Sequence, residues 1–349
     1  MTHILTTLPL AILIASCGTD DTADTATAEG CQITASADYP VAGQADAYYR
    51  ANIEFGLSDV DPSATISLTS ATGEVAGTVT MNEDGDEVIF TPDSSLDPSA
   101  SYTATLTWCD GENTAEIAFS TSSLGTPLDA DIEGSTYVLD IADGRFIKPA
   151  GVGEIIGGLL ANKILIGIKS ADDGDLAIRG AISMENGDDQ DLCAQTLEEF
   201  PTADFNASPY FELPEGDVAL SVAGYDVSIM AMSIAGTFSS DGSYFGGGTM
   251  SGELDARTLA PLLADQLEIP EDEDPGQYMC DLLIGFGVAC IPCSSDGDPF
   301  CAILEIDQLV ADNSGVEIKE ILQTDCDEEC AASCDNKECV DADDFAICE

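Results

Sequence analysis

VIFTPDSSLDPSASYTATLTW, residues 88–108, alternates apolar and polar side chains on both sides of a turn. Val88 and Phe90 share one face of a strand, and Tyr102, Ala104, Leu106 and Trp108 share one face of the next. A period of two marks half-buried strands, and Asp97-Pro98 between them is turn chemistry. Upstream, Tyr49, Ala51, Ile53, Phe55 and Leu57 oppose Arg50, Asn52 and Glu54, followed by Ile66 and Leu68, then Val75, Val79 and Met81. Downstream come Ala115, Ile117 and Phe119. Asp61-Pro62, Thr72-Gly73, Asp84-Gly85 and Asp110-Gly111 punctuate the series. About seven short strands with regular turns predict an all-β antiparallel sandwich over residues 31–124.

Within it, IEFGLSDVDPSATISLTSATGEVAGTV (53–79), the opening stretch and AEIAFST (115–121) carry a resemblance. With Phe90-x-Pro92-x3-Leu96-x5-Tyr102 as their most specific part, they resemble the SbsA-type bacterial Ig-like domain over roughly residues 38–122. The resemblance implies a structural or spacer module at the cell surface and brings no catalytic residues. At the corner between sheets, Tyr102 is expected to return its hydroxyl to the backbone. Cys31 and Cys109 are the two cysteines of this region. Trp108 faces inward, so Cys109 points the other way. A peripheral disulfide, Cys31–Cys109, is expected.

Residues 1–16 read as a signal peptide. The apolar stretch 4–16 is too short to span a bilayer as a helix, and Ile14-Ala15-Ser16-Cys17 resembles the lipobox of bacterial lipoproteins, whose cysteine is acylated. By that resemblance Cys17 carries the lipid, and Gly18 favours the outer membrane. Residues 17–30 form a lipidated cysteine and an acidic tether with nothing to bury.

Residues 125–349 predict an α+β domain: a curved antiparallel sheet, open or barrel-like, with helices against it. Gly134–Val138 starts a strand, and Val152, Ile155, Ile156, Leu159 and Leu160 lie on one helix face. Hairpins run through Ile164–Ile168 to Leu176–Met184 and through Val227–Phe238 to Tyr244–Leu254. In the latter, alternation puts Met230, Met232 and Ile234 on one face and Val227, Ile229 and Ala231 on the other. Helices are expected around Leu259, Leu262, Leu263 and Leu267, capped by Thr258 in preference to Asp255, and around Met279, Leu282, Leu283 and Phe286. This cysteine-rich second domain resembles uncharacterised lipoproteins of myxobacteria and their relatives.

Composition narrows the chemistry. The chain has 66 acidic and 9 basic residues and a net charge of −57, so it is no partner for nucleic acid. His3 is the single histidine, which removes histidine-based triads and zinc ligation from the mature chain. Of 13 cysteines, setting Cys17 aside leaves twelve. These are Cys31, Cys109, Cys193, Cys280, Cys290, Cys293, Cys301, Cys326, Cys330, Cys334, Cys339 and Cys348. An even set in an exported chain predicts six disulfides, against a zinc reading of Cys290-x2-Cys293-x7-Cys301. With odd numbers on either side of residue 325, at least one bridge must join Cys326–Cys348 to the rest of the second domain. Acidic loops at 82–87, 170–175, 186–191, 294–298 and 341–344 suit weak Ca²⁺ association, with no specific metal or cofactor site assigned. The glycines of 242–252 are expected to permit curvature or close packing.

Together these features predict a lipid-anchored outer-membrane protein of the cell envelope. It meets the membrane through Cys17 and an unidentified envelope or extracellular partner through residues 125–349. No catalytic residues are assigned, and the second domain is expected to bind or to build rather than to catalyse. The alternatives are an extracellular carboxylate-dependent hydrolase and a calcium-dependent adhesion protein.

Overall fold

The computed structural model describes residues 31–321 apart from 83, 151–161, 173, 185–186, 193, 195, 197–200, 223–224, 264–268, 270–273 and 286–287. The signal peptide, Cys17, the tether, the helix expected over 152–160, Cys193, Phe286, residues 341–344 and the cysteines from Cys326 onward lie outside the described residues. About 50% of the structure is strand and 8% helix, so the helices are a minor part of a predominantly β protein.

The first domain is an eight-stranded sandwich among the described residues. One sheet orders β1 (Ala35–Tyr39), β2 (Ile53–Leu57), β6 (Glu87–Pro92) and β5 (Gly77–Met81). The other orders β4 (Gly73–Val75), β3 (Thr65–Ser70), β7 (Ser101–Trp108) and β8 (Asn113–Ser120). The alternating residues read from the sequence form its core: Ile53, Phe55, Leu68, Val88, Phe90, Ala104 and Leu106 are all buried. At the corner, the Tyr102 hydroxyl accepts from the Asp97 amide at 2.8 Å, and the Tyr102 ring stacks on Phe119. Cys31 and Cys109 are bonded at the sandwich rim. Asp61, buried beside them, accepts from Ser63 and from the Cys109 amide.

The second domain is a closed barrel of eight antiparallel strands. In order around the ring these are β9 (Thr136–Leu139), β11 (Ile164–Asp172), β12 (Asp175–Ile182), β13 (Ala203–Asp204), β14 (Tyr210–Val222), β15 (Tyr225–Phe238), β16 (Tyr244–Asp255) and β17 (Cys301–Asn313). β17 closes the ring by pairing Ala311 with Leu139, and β10 (Arg145–Lys148) adds to its outer stretch. Closure removes the sheet edges that an open antiparallel sheet would expose.

Bulges bend the long strands, and one overturns a sequence expectation. Ala231 adopts φ +47°, and the register of β15 against β16 shifts between Met230 and Ser233. The inserted residue reverses the alternation. Ile229 therefore faces the core together with Met232 and Ile234, while Met230 points outward under the Cys293–Cys301 disulfide. The helix expectation also needs correction. α1 (Ala256–Leu263) is capped by Asp255, whose carboxylate accepts from the Arg257 amide at 2.9 Å, and Thr258 instead donates to the Asp255 carbonyl. The Arg257 side chain holds that carboxylate in capping position, and the helix runs through residue 261. α2 (Pro275–Gly285) packs Met279 and Cys280 against α1, with Cys280 bonded to Cys290.

The two domains touch through aromatic residues of the 47–50 turn. The Tyr48 hydroxyl lies 2.8 Å from Thr237 Oγ1, and the Arg50 guanidinium sits 3.7 Å over the Tyr210 ring. Burial pushes the Tyr48 phenol far above its usual range. Gly247 adopts φ +58° directly under the Tyr48 ring, where a β-carbon would overlap it. The glycines of 242–252 thus serve close packing, against the sandwich as well as within the barrel.

Candidate functional site

An eight-stranded barrel is just wide enough to be filled by side chains or to hold one small ligand. Here it is filled. Tyr137, Phe205, Phe211, Phe238 and Phe245 interlock at centroid distances of 5.0–6.0 Å, and the Tyr137 hydroxyl is spent on the Gly242 carbonyl at 3.0 Å. The cavity left in the lumen is about 20 Å³, lined by residues such as Ile166, Phe211 and Met232. That is roughly one water's worth of space.

Among the described residues, a concave surface lies instead on the outer wall. On β9, Tyr137 and Leu139 point inward, so Thr136, Val138 and Asp140 line the outside. On β17 the bulge at Gln308, φ +56°, turns Leu309 and Ala311 into the core and leaves Val310 and Asp312 outside. Lys163 and Leu165 contribute from the start of β11.

A strap then crosses this wall. β17 ends at Asn313, and Gly315 turns the chain at φ +70°. The Ser314 amide donates to the Thr136 carbonyl, and Ile318 packs on Leu165, Ala181 and Val138. Gly167 makes room for it, since a β-carbon there would stand 2.9 Å from Ile318. Beyond, Lys319 exchanges two hydrogen bonds with the Gln190 side chain at 2.8 and 2.9 Å, and Ile321 pairs with Thr196.

Between strap and wall lies a cleft of 330 Å³. Its rim and walls carry Asp140, Asp143, Asp188, Asp189, Asp312 and Glu317 against one cation, Lys163. Lys163 places its ammonium 2.7 Å from Asp188, and this hydrogen bond raises its pKa. Thr136 is 3% exposed, and its Oγ1 has no hydrogen-bond partner. Of these residues only Asp188 and Asp189 fall in a loop that the sequence singles out.

Other sequence-derived sites fare differently. Cys293 and Cys301, which come within ligating distance of Asp255, are joined as a disulfide, so no thiolate pair is offered to a metal. In the 294–298 loop, Arg257 occupies the acidic turn. It contacts Asp255 and Asp296, each at 2.8 Å, and Asp298 at 3.5 Å. The Asp255 and Asp296 contacts raise the pKa of Arg257, and the Asp298 amide and Arg257 lower that of Asp296. The protein's own guanidinium thus stands where the sequence suggests a calcium ion. In the 82–87 loop, Asn82 bonds Asp86 and closes the turn internally. The 170–175 loop is mostly strand, with Asp172 paired to Asp175. Among the described residues no helix is long and apolar enough to cross a membrane.

No protein-family model matches this chain, and no curated protein matches it. Among solved structures it is a weak neighbour of surface layer protein SbsC, domains 1–6, at 11% identity and a TM-score of 0.20, covering 63% of this chain and 39% of that one. It also aligns with the cycloalternan-forming enzyme of Listeria monocytogenes in complex with pentasaccharide substrate. That alignment has 12% identity and a TM-score of 0.17, and covers 62% of this chain and 21% of that one. The chain therefore spans well under half of either protein, and scores of this size carry no assignment of activity.

Proposed function

We propose that this protein is a non-catalytic module of the cell envelope, anchored by lipid on Cys17, in which the sandwich is a spacer and the barrel presents its outer wall to a ligand. The observation that carries the reading is the filled barrel. Among the described residues, a lumen packed with five aromatic rings leaves a cavity of only about 20 Å³, so recognition falls to the cleft under the strap. Export is supported by the three disulfides among the described residues, since such bonds persist in oxidising compartments. A hydrolase would be expected to bury one carboxylate and raise its pKa beside a second. Among the described residues, the carboxylates whose pKa is raised, Glu54 and Glu87, lie near Arg145 between sandwich and barrel, away from the cleft.

Fractionation of cells expressing the full chain and its Cys17→Ser variant tests the anchoring. Wild type is expected in the membrane fraction, labelled by a fatty-acid analogue, with the variant released. A wild type that is soluble and unlabelled would sink the reading.

A further inference from the structure

We infer that the cleft under the strap binds a small linear aliphatic polyamine. The inference rests on the binding-module reading and names the ligand class for that same site. Six carboxylates face one lysine there, which calls for a cation. The arrangement does not suit a bare metal ion. Among the described residues, the one group of three or more possible ligands with atoms within 4.8 Å of one another is Asp255, Cys293 and Cys301, elsewhere in the barrel. The cleft's carboxylates are thus spread along its walls rather than gathered around a point, and a Ca²⁺ ion needs oxygens converging at about 2.3–2.6 Å.

Spread charge matches a ligand whose own charges are several bonds apart. Val138, Leu165, Val310 and Ile318 lie between the carboxylates and offer apolar surface to the methylene runs of such a ligand. At 330 Å³ the cleft suits a small organic molecule, within the roughly 300–1,000 Å³ of ligand pockets. Lys163 on Asp188 already shows a primary alkylammonium seated at its rim.

One observation independent of the carboxylates points to a ligand here. The Thr136 hydroxyl is buried at the cleft without a partner, a costly state that an ammonium N–H would relieve. The strap is also tied to the barrel at both ends, through Ser314 and through Lys319 and Ile321, so the cleft is built into the fold. The chain's own residues 322–349 do not suit the cleft, because they are dense in Asp and Glu with Lys337 as their one basic residue.

Calorimetric titration of the full mature chain with spermidine in 150 mM NaCl tests this, with MgCl₂ at matched ionic strength as the comparison. One site per chain is expected for spermidine, and no saturable heat for Mg²⁺. Asp312→Asn with Glu317→Gln should weaken binding at least tenfold. Thr136→Val should weaken binding about fivefold to tenfold through the lost hydrogen bond. It should also raise the melting temperature of the free protein, because the buried orphan hydroxyl is gone. A merely structural role for Thr136 would give the opposite melting shift. Equal heats for Mg²⁺ and spermidine, or spermidine binding untouched by the Asp312/Glu317 pair, would overturn the inference as diffuse charge screening. Absent amine binding with anchoring intact refutes the polyamine alone, whereas a soluble wild type refutes the envelope reading whatever the titration gives.

Discussion

Gly247→Ala should separate the sandwich from the barrel. Gly247 sits at φ +58° with the Tyr48 ring directly over the position its β-carbon would take. The left-handed conformation costs an alanine about 1–2 kcal/mol, partly offset by the lower entropy of the unfolded alanine chain, for a net cost near 1 kcal/mol. The clash adds to this, because Tyr48 must swing away. Its bond to Thr237 is lost, about 1 kcal/mol net, together with about 1–2 kcal/mol of apolar burial. The expected total is about 3–4 kcal/mol. Gly134→Ala is the matched control. It has φ +75° and nothing within 4 Å of its β-carbon, so it carries only the backbone cost of about 1 kcal/mol. Trp108, the single tryptophan, lies in the sandwich, so its fluorescence reports that domain while circular dichroism reports both. In urea the two signals should coincide for wild type and for Gly134→Ala and separate for Gly247→Ala. Adding Tyr48→Ala to Gly247→Ala should cost about 2 kcal/mol less than the sum of the single changes, since the clash disappears with the ring. Equal losses for the two glycine variants, with coincident transitions in both, would refute a stabilising Tyr48 contact between the domains.

Asp61→Asn should cost about 2 kcal/mol at pH 7, from weakened bonds to Ser63 and the Cys109 amide. The Ser63 hydroxyl, followed by the Cys109 and Ser63 amides, lowers the Asp61 pKa in the folded protein. Its stabilisation is therefore present above the ordinary carboxylate pKa and lost as pH falls through the depressed value, so wild type and variant should converge in urea titrations at the acid end. Arg257→Met should lower stability by about 1–2 kcal/mol, discounted for its partial exposure, and 500 mM NaCl should shrink the gap by screening the Asp296 and Asp298 contacts. In the parent chain, melting temperature should rise with NaCl from 10 to 500 mM because a net charge of −57 repels itself over roughly 30 Å at 0.01 M salt; a flat curve would show the charges already spaced harmlessly. Of the twelve cysteines besides Cys17, three bridges take up six, leaving Cys193 with five beyond residue 325. Full pairing then requires Cys193 to bond one of those five, and a non-reducing tryptic map should find that cross-linked peptide; free Cys193 would refute it.

The sandwich was legible because each of its strands keeps one face buried and one wet, so the period of two survives in the sequence from Ile53 to Phe119. The barrel was legible only where its strands stay regular. The hairpin from Val227 to Leu254 can be read, but the face of Met230 cannot, because the inserted Ala231 reverses every side chain beyond it. The stretch 301–313 fails for the same reason. Ala302, Leu304 and Ile306 alternate, then Gln308 interrupts, and Leu309 and Ala311 resume out of phase. Neither half is long enough to announce a strand, yet this is the strand that closes the ring. A bulge is the local answer to a long-range demand, the bending of a strand around a barrel, and nothing in its immediate sequence states that demand. The cleft is hidden more deeply. Asp140, Asp188 and Asp312 come from stretches far apart in the chain, in a protein where 66 acidic residues make any one of them unremarkable by itself. What distinguishes them is the strap that Gly315 turns and Ile318 fastens, and the uncharged Thr136 beneath it. A composition so acidic conceals a cation site better than a neutral one would, because the informative residue is the buried hydroxyl and not the carboxylates around it.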